Sequence, residues 1–496
     1  MPVPTSPIRG DFENLLDLFD EVVRVAPDVE AYVQPSTTGP TMRMSFIEWA
    51  TRADALAGWL IDKGVKKGDV VGIRLPSCID YVVAYQAITR AGGIAAGINP
   101  RYGHGEVEHI INRSKPVHIF DRPLPEVTGG DPFRRRIELS HDDPIAIVWT
   151  GGTTGYPKGA WFDHRCLEAM TGGAGDLSHV GDRRLSPLPF AHVGAMTRLW
   201  DELMHVITTV IVPSPWTAEG ALAAINDERV TVSQGVPTQY RMMFDHPRFA
   251  DTDVSHLRVA GIGAARIPPE LVMEMREKLG CNVLARYTST EACVSTGTNI
   301  NDDIDTICNS VGKPSAAVEL RLVHEDGHTC AQDEVGVVQL RSRAMMRGYW
   351  KDEERTREVS TSDGFLITGD LGFIDEKGDL HLVGRNTEMY IRGGYNVYPV
   401  EVENHLGTHP DVSAAAIVGA SVDDRLGEIG VLFAVPRSGS ALTLESVRDH
   451  VKASLANYKA PDVLVCVTEL PLTSLGKVDK KQLQPLADKE AAAWQR

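Results

Sequence analysis

The sequence predicts an α/β fold with a large N-terminal domain of layered α/β subdomains and a small α+β domain at the C-terminus. Apolar residues recur at helical spacing in 12–26 and 44–63, and a β-branched run at 70–75 precedes another helical pattern at 81–90. Such alternation is typical of mainly parallel sheets covered by helices. The 496 residues exceed what one hydrophobic core usually holds. The tail from Glu388 repeats the alternation on a smaller scale.

Composition restricts the partners that the surface can attract. The formal net charge of -17 argues against binding of nucleic acid or anionic lipid by the bulk surface. The seven cysteines are scattered without a C-x-x-C pair, which favours a reducing cytoplasm over a disulfide framework or a zinc site. No run approaches the roughly 18 apolar residues of a membrane span. The oligomeric state is left open between a monomer and a homodimer.

A glycine- and threonine-rich loop follows the apolar run 144–149, which predicts a buried strand. Glycines let backbone N–H groups converge on an anion, and Lys158 adds a positive charge suited to phosphate. The loop differs from a Walker A motif because Lys158 stands between Pro157 and Gly159 rather than opening a helix. Residues 160–162 predict a return strand. The candidate phosphate-binding residues are Thr150, Gly151, Gly152, Thr153, Thr154, Gly155 and Lys158.

This loop resembles the phosphate loop of the adenylate-forming enzymes, in particular the acyl-CoA synthetase or fatty-acid–CoA ligase type. Nine further segments resemble family landmarks in family order, so the resemblance covers nearly the whole chain. Two of these segments, 99–102 and 348–350, are interpreted as structural. The segments that the resemblance relates to the active site are 186–194, 259–266, 282–291, 363–370, 382–389, 393–399 and 471–480.

His192 lies in Ser186–Gly194, which resembles the Pro-x-Phe-His segment of acyl-CoA synthetases. A histidine beside apolar residues is more often structural, but the resemblance implies a place between the acyl pocket and the thiol channel. Peptide-synthetase domains usually carry Phe-Asp at this point, where the Asp holds an amino group. The absence of that Asp argues against an amino-acid substrate. The acyl pocket is expected from four stretches whose small and apolar residues are compatible with fatty or aromatic acids: 192–200, 235–240, 261–265 and 288–297.

The segment 282–291 predicts a strand that ends in Tyr287, Thr288, Ser289, Thr290 and Glu291. Tyrosine can stack on a base, threonine can bind a phosphate oxygen and glutamate can hold Mg²⁺. A Ser/Thr helix cap with Glu in a capping box fits the same residues equally well. The resemblance implies that Tyr287 faces adenine, Thr290 the α-phosphate and Glu291 the metal. The family usually has Gly where this chain has Thr288.

The segment 259–266 resembles the family's loop that lines the adenine pocket, with Gly263, Ala264 and Ala265 as the contacting residues. Its glycines also fit the start of a dinucleotide-binding G-x-G-x-x-G pattern. Arg266 occupies the third glycine position, however, and no acidic residue follows a clear strand about 20 residues later. A dinucleotide site is therefore a weak alternative.

Asp370 is predicted at the end of a strand, where a carboxylate suits the two hydroxyls of a ribose. An Asp in an ordinary Gly-Asp turn is the alternative, and the match to the family's Thr-Gly-Asp motif favours the ribose role. Leu382–Met389 resembles the hinge between the two domains, whose Arg385 also reaches the ribose. The hinge position is Thr387, where relatives usually carry Asp or Lys.

The C-terminal part contributes two further segments. The loop with Gly393, Gly394 and Tyr395 resembles the one that lines the pantetheine tunnel of CoA. Pro471–Lys480 resembles the Pro-x-Thr-x-x-Gly-Lys motif, whose lysine, Lys477, enters the active site. A lysine of a Gly-Lys loop is otherwise an ordinary surface residue.

The resemblance implies an adenylation domain at 1–385, a hinge at 386–388 and a small mobile domain at 389–496. It implies that a carboxylate attacks the α-phosphate of ATP in the presence of Mg²⁺, and that the thiol of CoA then expels AMP. Two departures, Thr288 and Thr387, raise the possibility of an enzyme with one weak half-reaction. The same motifs would also suit a ligase that loads a carrier-protein phosphopantetheine. A non-catalytic nucleotide-binding regulator fits less well, because Lys477, Glu291 and Asp370 are all present.

Overall fold

The computed structural model describes residues 6–36, 39–150, 156–263, 267–324, 326–385, 388–393, 395–422, 426–473 and 477–494. The described chain packs as two compact units. The first unit comprises the residues up to 319 together with 340–366, and the second comprises 320–339 and the residues from 367 onward. The predicted boundaries at 385 and 389 remain a prediction, and hinge residue Thr387 lies outside the described residues.

Helices and strands alternate along the chain, as the sequence predicts. The helices are α1 (Leu15–Val25), α2 (Phe46–Asp62), α3 (Ile79–Arg90), α4 (His104–Ser114), α5 (His164–Ala174), α6 (Val193–Met196), α7 (Leu199–Met204), α8 (Ala218–Asp227), α9 (Pro237–Asp245), α10 (Pro269–Leu279), α11 (Ile304–Asn309), α12 (Glu353–Glu358), α13 (Pro399–Leu406), α14 (Leu444–Ser454) and α15 (Lys480–Ala493).

The strands of the N-terminal part are β1 (Glu30–Gln34), β2 (Met42–Ser45), β3 (Val70–Ile73), β4 (Ile94–Gly97), β5 (His118–Phe120), β6 (Pro144–Thr150), β7 (Lys158–Asp163), β8 (Arg183–Ser186), β9 (Thr208–Ile211), β10 (Val232–Gly235), β11 (Val259–Gly263), β12 (Asn282–Ser289), β13 (Cys293–Gly297) and β14 (Lys313–Pro314). They are followed by β15 (Val318–Val323), β16 (Gly336–Ser342), β17 (Gly348–Tyr349), β18 (Leu366–Ile374), β19 (Leu380–Arg385), β20 (Tyr390–Arg392), β21 (Tyr395–Val397), β22 (Val412–Ser421), β23 (Glu428–Pro436) and β24 (Val463–Cys466).

Two large sheets organise the first unit. Within the described residues, one has the strand order β14-β13-β12-β11-β10-β8-β9-β1-β2, and the other has β17-β7-β6-β4-β3-β5. The pairs of β3 with β4 and β5, and of β4 with β6, are parallel, as expected for strands connected through helices. Their apolar residues, such as Val71 and Ile147, are fully buried because helices cover both faces.

Local sequence explains where the first helices begin. The side chain of Asn14 accepts hydrogen bonds from the amides of Leu16 and Asp17 and so caps α1. Ser45 and Glu48 form a reciprocal capping box at the start of α2. These contacts satisfy N–H groups that a helix cannot pair internally.

The connector 121–143 is attached to the first unit rather than freely solvated. The guanidinium of Arg136 donates to both carboxylate oxygens of Asp54, a fully buried residue, at 2.7 and 3.0 Å. Arg135 forms salt bridges with Asp17 and Asp20. These ion pairs hold the connector against the first unit, because buried carboxylates require charged partners.

The second unit contains smaller sheets. In its described residues, β22, β23 and β24 form one sheet, and β15, β16, β18 and β19 form another. Helix α15 packs on the sheet of β22 and β23, where Leu483 and Ala487 join a core that includes Phe433. The alternation predicted for the tail from Glu388 is present in its described residues, where β22 and β23 are followed by α14, β24 and α15.

None of the helices described by the structure combines the length and apolar character of a membrane span. All seven cysteines are free thiols.

Candidate active site

The predicted arrangement of strand, loop and return strand is confirmed at 144–163. Strands β6 and β7 form an antiparallel pair in which Thr150 lies opposite Lys158. Gly159 must be glycine for packing reasons, since a Cβ there would lie 2.9 Å from the side chain of Ile147. The roles of the remaining phosphate-loop candidates stay predictions, because these residues lie outside the part that the structure describes: Gly151, Gly152, Thr153, Thr154 and Gly155.

Tyr349 connects the lysine of this loop with the predicted metal carboxylate. Strand β17 pairs with β7 and places Tyr349 opposite Ala160. The buried Tyr349 hydroxyl donates a hydrogen bond of 2.9 Å to Oε1 of Glu291, and Nζ of Lys158 lies 5.2 Å from the centre of the Tyr349 ring. Burial and the adjacent Glu291 carboxylate raise the pKa of Tyr349, which keeps the hydroxyl protonated as a donor. The sequence interpretation of 348–350 as purely structural missed this contact.

Glu291 stands on the turn between β12 and β13. Its carbonyl accepts a hydrogen bond from the amide of Met346 at 2.9 Å, and the hydroxyl of Ser289 accepts one from Ala292 at 3.0 Å. The predicted strand through Tyr287 and Ser289 is confirmed. The alternative of a helix cap is wrong, because the chain turns back as a hairpin and begins no helix here. Thr290 lies in the same turn, and Thr288 pairs with Val294 just after a bulge.

Gly263 has a structural reason that is independent of any nucleotide. A Cβ at this position would lie 2.4 Å from the carbonyl oxygen of Arg286 on the neighbouring strand β12, so the sheet accepts only glycine there. The adjacent candidates Ala264 and Ala265 lie outside the described residues. Tyr287, one residue after Arg286, is 8% exposed and is therefore mostly enclosed by protein.

His192 is oriented by Asn99. The Oδ1 atom of the buried Asn99 accepts a hydrogen bond from the amide of Arg101 at 3.0 Å, which turns its Nδ2 toward the imidazole. Nδ2 lies 3.2 Å from Nε2 of His192. Because an amide nitrogen can only donate, this contact assigns the acceptor role to Nε2 and the proton of the neutral ring to Nδ1. The sequence interpretation of 99–102 as structural missed this contact, since no local pattern pairs Asn99 with a residue 93 positions later.

A small cavity of about 60 Å³ lies beside the segment that carries His192. Its wall includes Gly194, Ala195 and Arg198 from the end of that segment and from the start of α7, and Gln234 from β10. Tyr81 of α3 contributes from another direction. The predicted acyl-pocket stretch 192–200 contributes to this wall, whereas no described residue of the predicted stretches 235–240, 261–265 and 288–297 does. No sequence pattern predicts the contribution of α3.

In the second unit, Asp370 and Arg385 face each other on β18 and β19. Nε of Arg385 donates to Oδ1 of Asp370 at 2.9 Å, and the amide of Asp370 donates to the hydroxyl of Thr368 at 3.0 Å. The sequence therefore selected two residues that the fold brings into contact. The prediction that Asp370 ends a strand is wrong: Gly369 has a positive φ of 75° and a bulge follows Leu371, so β18 bends here but continues.

Backbone hydrogen bonds join the two ends of the loop that carries Lys477. The amide of Thr473 donates to the carbonyl of Lys477 at 2.7 Å, and Leu472 bridges to Val478. Residues 474–476 lie outside the described part. Three residues later, Nζ of Lys480 lies 2.9 Å from a carboxylate oxygen of Glu388 and 2.9 Å from one of Glu403.

The predicted CoA loop joins β20 and β21. The amide of Gly393, at a positive φ of 60°, donates to the carbonyl of Leu426 at 2.7 Å. The exposed ring of Tyr395 stacks on Tyr458 with centroids 4.6 Å apart. Gly394 lies outside the described residues.

Metal ligation by protein side chains alone is not supported in the described part, where no group of three or more His, Cys, Asp or Glu could hold an ion. A lone carboxylate is nonetheless an ordinary Mg²⁺ ligand when substrate phosphates and water complete the coordination. Glu291 fits this pattern because its hydrogen bond from Tyr349 leaves acceptor positions on the carboxylate.

Comparison with known proteins identifies the family of the chain. The family model "AMP-binding enzyme" matches residues 19–132 and 122–350, and "AMP-binding enzyme C-terminal domain" matches 401–477. An indoleacetate–CoA ligase of Aromatoleum aromaticum is 30% identical, with 92% of this chain and 97% of the relative covered. A CoA ligase of Mycobacterium tuberculosis is 33% identical, with 96% of this chain and 99% of the relative covered. Its name describes a propanoyl group on a methyl-dioxo-octahydroindenyl ring system.

Among solved structures, ATP-bound MatB from Rhodopseudomonas palustris superposes with a TM-score of 0.87 at 27% identity, over 96% of this chain and 100% of that one. Sequence and fold thus agree on the family. The chain belongs to the AMP-binding enzyme family, and within it is an acyl-CoA ligase of the AMP-forming acid–thiol class that uses ATP and CoA.

Proposed function

We propose that this ligase activates a ring-bearing carboxylic acid and that the residues selected from the sequence divide the two half-reactions between them. The contact of Lys158 with Tyr349 and of Tyr349 with Glu291 carries the proposal, because it holds a phosphate-binding cation and a metal-binding carboxylate on one buried tyrosine. Two such groups suit a reaction in which charge accumulates on phosphate oxygens. The names of two relatives, both CoA ligases for ring-bearing acids, support the choice of acid.

In the first half-reaction, the carboxylate of the acid attacks the α-phosphate of ATP, forms the acyl-adenylate and releases pyrophosphate. Glu291 would hold Mg²⁺, which supplies positive charge to the phosphates when bound. Thr290 donates to the α-phosphate, Lys158 holds the departing pyrophosphate, and Lys477 neutralises the α-phosphate.

The nucleoside is held by Tyr287, Asp370 and Arg385 in this proposal. Asp370 is well placed for a ribose, since the bond of 2.9 Å from Nε of Arg385 to Oδ1 fixes the orientation of the carboxylate. Each carboxylate oxygen has two acceptor sites, so the group can receive the two ribose hydroxyls while it stays bonded to Arg385.

In the second half-reaction, the thiol of CoA attacks the acyl carbonyl and AMP leaves. We assign His192 to the boundary of the acid site and Gly393 to Tyr395 to the CoA-binding loop. Mobility of residues 389–496, a carrier-protein acceptor, the oligomeric state and a cytoplasmic location remain predictions.

The decisive experiment separates the half-reactions in a Lys477→Ala variant. We expect acid-dependent exchange between ATP and pyrophosphate to fall by about 10²–10³-fold or more, because a preorganised charge on the α-phosphate is lost. Thioester formation from CoA and pre-made acyl-adenylate should persist, since the α-phosphate has already reacted.

Lys489→Ala, at an exposed position of α15, is the matched control and should behave like the wild type. Equal loss of both half-reactions in Lys477→Ala would contradict the assigned role. Weak ATP–pyrophosphate exchange or weak thioester formation in the wild type would instead indicate an enzyme with one weak half-reaction, the possibility suggested by Thr288 and Thr387.

A further inference from the structure

Two arginines line the cavity beside the His192 segment, and their surroundings differ. Arg184 is 2% exposed and its two terminal nitrogens have four partners: Asp201 at 3.3 Å, Glu202 at 3.4 Å, the carbonyl of Leu177 at 3.0 Å and the hydroxyl of Ser178. Such a network is what a buried guanidinium requires. Arg184 is therefore a structural residue.

Arg198 has no comparable network. Its guanidinium donates to Oε1 of Gln234, and within the described residues it forms no salt bridge with a carboxylate. Glu202 is close enough to influence its charge electrostatically but is bonded to Arg184. Burial lowers the pKa of Arg198 to about 10, so the group stays charged at neutral pH. A guanidinium has five N–H donors, most of which this arrangement leaves for another acceptor.

Tyr81 supplies a second donor to the same space. The residue is 1% exposed, and among the described atoms its hydroxyl has no hydrogen-bond partner. The neighbouring Tyr85, which also lines the cavity, instead donates to the carbonyl of Met196 at 2.8 Å. A buried hydroxyl without an acceptor costs free energy, so its retention at a cavity wall indicates an acceptor that arrives with the ligand.

The cavity is polar at these points and small. Its volume of about 60 Å³ is far below the roughly 300–1,000 Å³ of a pocket that encloses a whole drug-sized ligand. It can therefore take only the end of an acid. That end is the one remote from the reacting carboxylate, since residues on both sides of His192 line the cavity but His192, which is assigned to the boundary of the acid site, does not.

We propose that the acid carries an oxygen acceptor at the end distal to its reacting carboxylate, and that Arg198 and Tyr81 bind this oxygen in the cavity. The acceptor is an oxo, amide or second carboxylate oxygen, which share lone pairs directed at N–H and O–H donors. The inference rests on the proposed function, because it names the substrate of that same site. Gln234 holds the guanidinium in place through its amide oxygen.

The test uses two pairs of ring-bearing acids matched in shape. One pair is 3-(4-oxocyclohexyl)propanoate with 3-cyclohexylpropanoate, and the other is cyclohexylacetate with and without a second carboxylate at the trans 4-position of the ring. Acid-dependent pyrophosphate release gives kcat/KM for each member. We expect the wild type to prefer the oxygenated member of at least one pair by about 10- to 100-fold, the range of a hydrogen bond to a charged group. Arg198→Met should bring that ratio close to one.

Arg198→Lys, which keeps a charge, should retain part of the preference, and Tyr81→Phe should reduce it by a few-fold. Tm measurements on each variant identify a folding defect. Only Arg198→Met removes a charge, so the other two substitutions separate the effect of the charge from that of the hydrogen bonds. Equal kcat/KM within every pair in the wild type, or an unchanged ratio in both Arg198→Met and Tyr81→Phe, would overturn the inference while leaving the ligase function intact. Failure of every acid to release pyrophosphate would refute the proposed function instead.

Discussion

Each of the two units contains a carboxylate that the sequence predicts to bind the nucleotide or its metal, and the partners of these carboxylates differ. Glu291 in the first unit receives a hydrogen bond from a neutral tyrosine hydroxyl at 2.9 Å. Asp370 in the second unit is paired with the guanidinium of Arg385, also at 2.9 Å. The two residues have similar acid groups and the same bond length, but the partner is neutral at Glu291 and positively charged at Asp370.

This difference fits the ligands proposed for the two sites. A neutral donor orients Glu291 without cancelling its charge, which leaves the full negative charge for a divalent cation. An ion pair at Asp370 reduces the local charge, which suits the neutral hydroxyls of a ribose. The partner of a carboxylate thus indicates whether the carboxylate binds a cation or an uncharged donor.

The largest effect is expected from the substitution Glu291→Gln, which tests whether the charge of this carboxylate is needed. The amide keeps an acceptor for the hydroxyl of Tyr349 but loses the charge, so we expect the rate of acid-dependent ATP–pyrophosphate exchange to fall about 10²–10³-fold. The concentration of Mg²⁺ needed for half-maximal exchange should rise in parallel.

Tyr349→Phe is its matched control, because it removes the hydrogen bond and keeps both the charge and the ring beneath Lys158. Its exchange rate should fall by about 10- to 100-fold, the value of one hydrogen bond to a charged group. A larger loss in Tyr349→Phe than in Glu291→Gln would contradict the view that the charge of Glu291 is what matters.

A smaller effect is expected from Asp370→Asn. Loss of charge-assisted hydrogen bonds should raise the KM for ATP about 10- to 100-fold. The Mg²⁺ requirement should not change, since no metal role is assigned to this residue. Steady-state kinetics at several Mg²⁺ concentrations distinguish the two carboxylates, and a shared Mg²⁺ dependence would remove the contrast.

The smallest expected effect concerns the stability of the fold, which should depend on whether a buried histidine is neutral or charged. The buried His164 accepts a hydrogen bond at Nδ1 from the amide of Leu15 at 3.2 Å, which requires an unprotonated ring nitrogen. Burial lowers the pKa of His164 to about 4, despite the opposing charges of Asp143 and Asp163.

Because the folded-state pKa of His164 lies below its unfolded value of 6.5, its contribution to stability is full above pH 6.5 and is lost as pH falls toward 4. We expect the free energy of unfolding to decrease by about 2 kcal/mol between pH 7 and pH 5 from this group. Thermal unfolding of His164→Gln should show a shallower pH dependence over this interval, and an unchanged slope would exclude His164 as its source.

Local patterns predicted much of the fold and the identity of several site residues. The apolar run before the glycine-rich loop specified β6, and the return strand followed from Ala160 to Phe162. The prediction that Asp370 and Arg385 serve one ligand is consistent with their cross-strand contact.

The remaining features depend on long-range contacts that no local pattern encodes. Tyr349 reaches Glu291 only because β17 pairs with β7, a strand far earlier in the chain. Arg198 follows an apolar stretch that predicts burial, whereas the partners of a buried arginine depend on which strand lies opposite. The grouping of 320–339 with the C-terminal part likewise depends on a sheet assembled from distant strands.

The lysine between two carboxylates in the second unit has a mechanical consequence. Lys480 begins α15 and binds both Glu388, the last residue of the predicted hinge, and Glu403 of α13, whose carboxylate also accepts from the amide of Ile417. The two acids raise the pKa of Lys480, so this link stays charged throughout the physiological range. The last residue of the predicted hinge is thereby ion-paired with the first residue of the helix that follows Lys477. Substitution of Lys480 is therefore expected to loosen the attachment of Glu388 to α15, although the two residues are 92 positions apart in the chain.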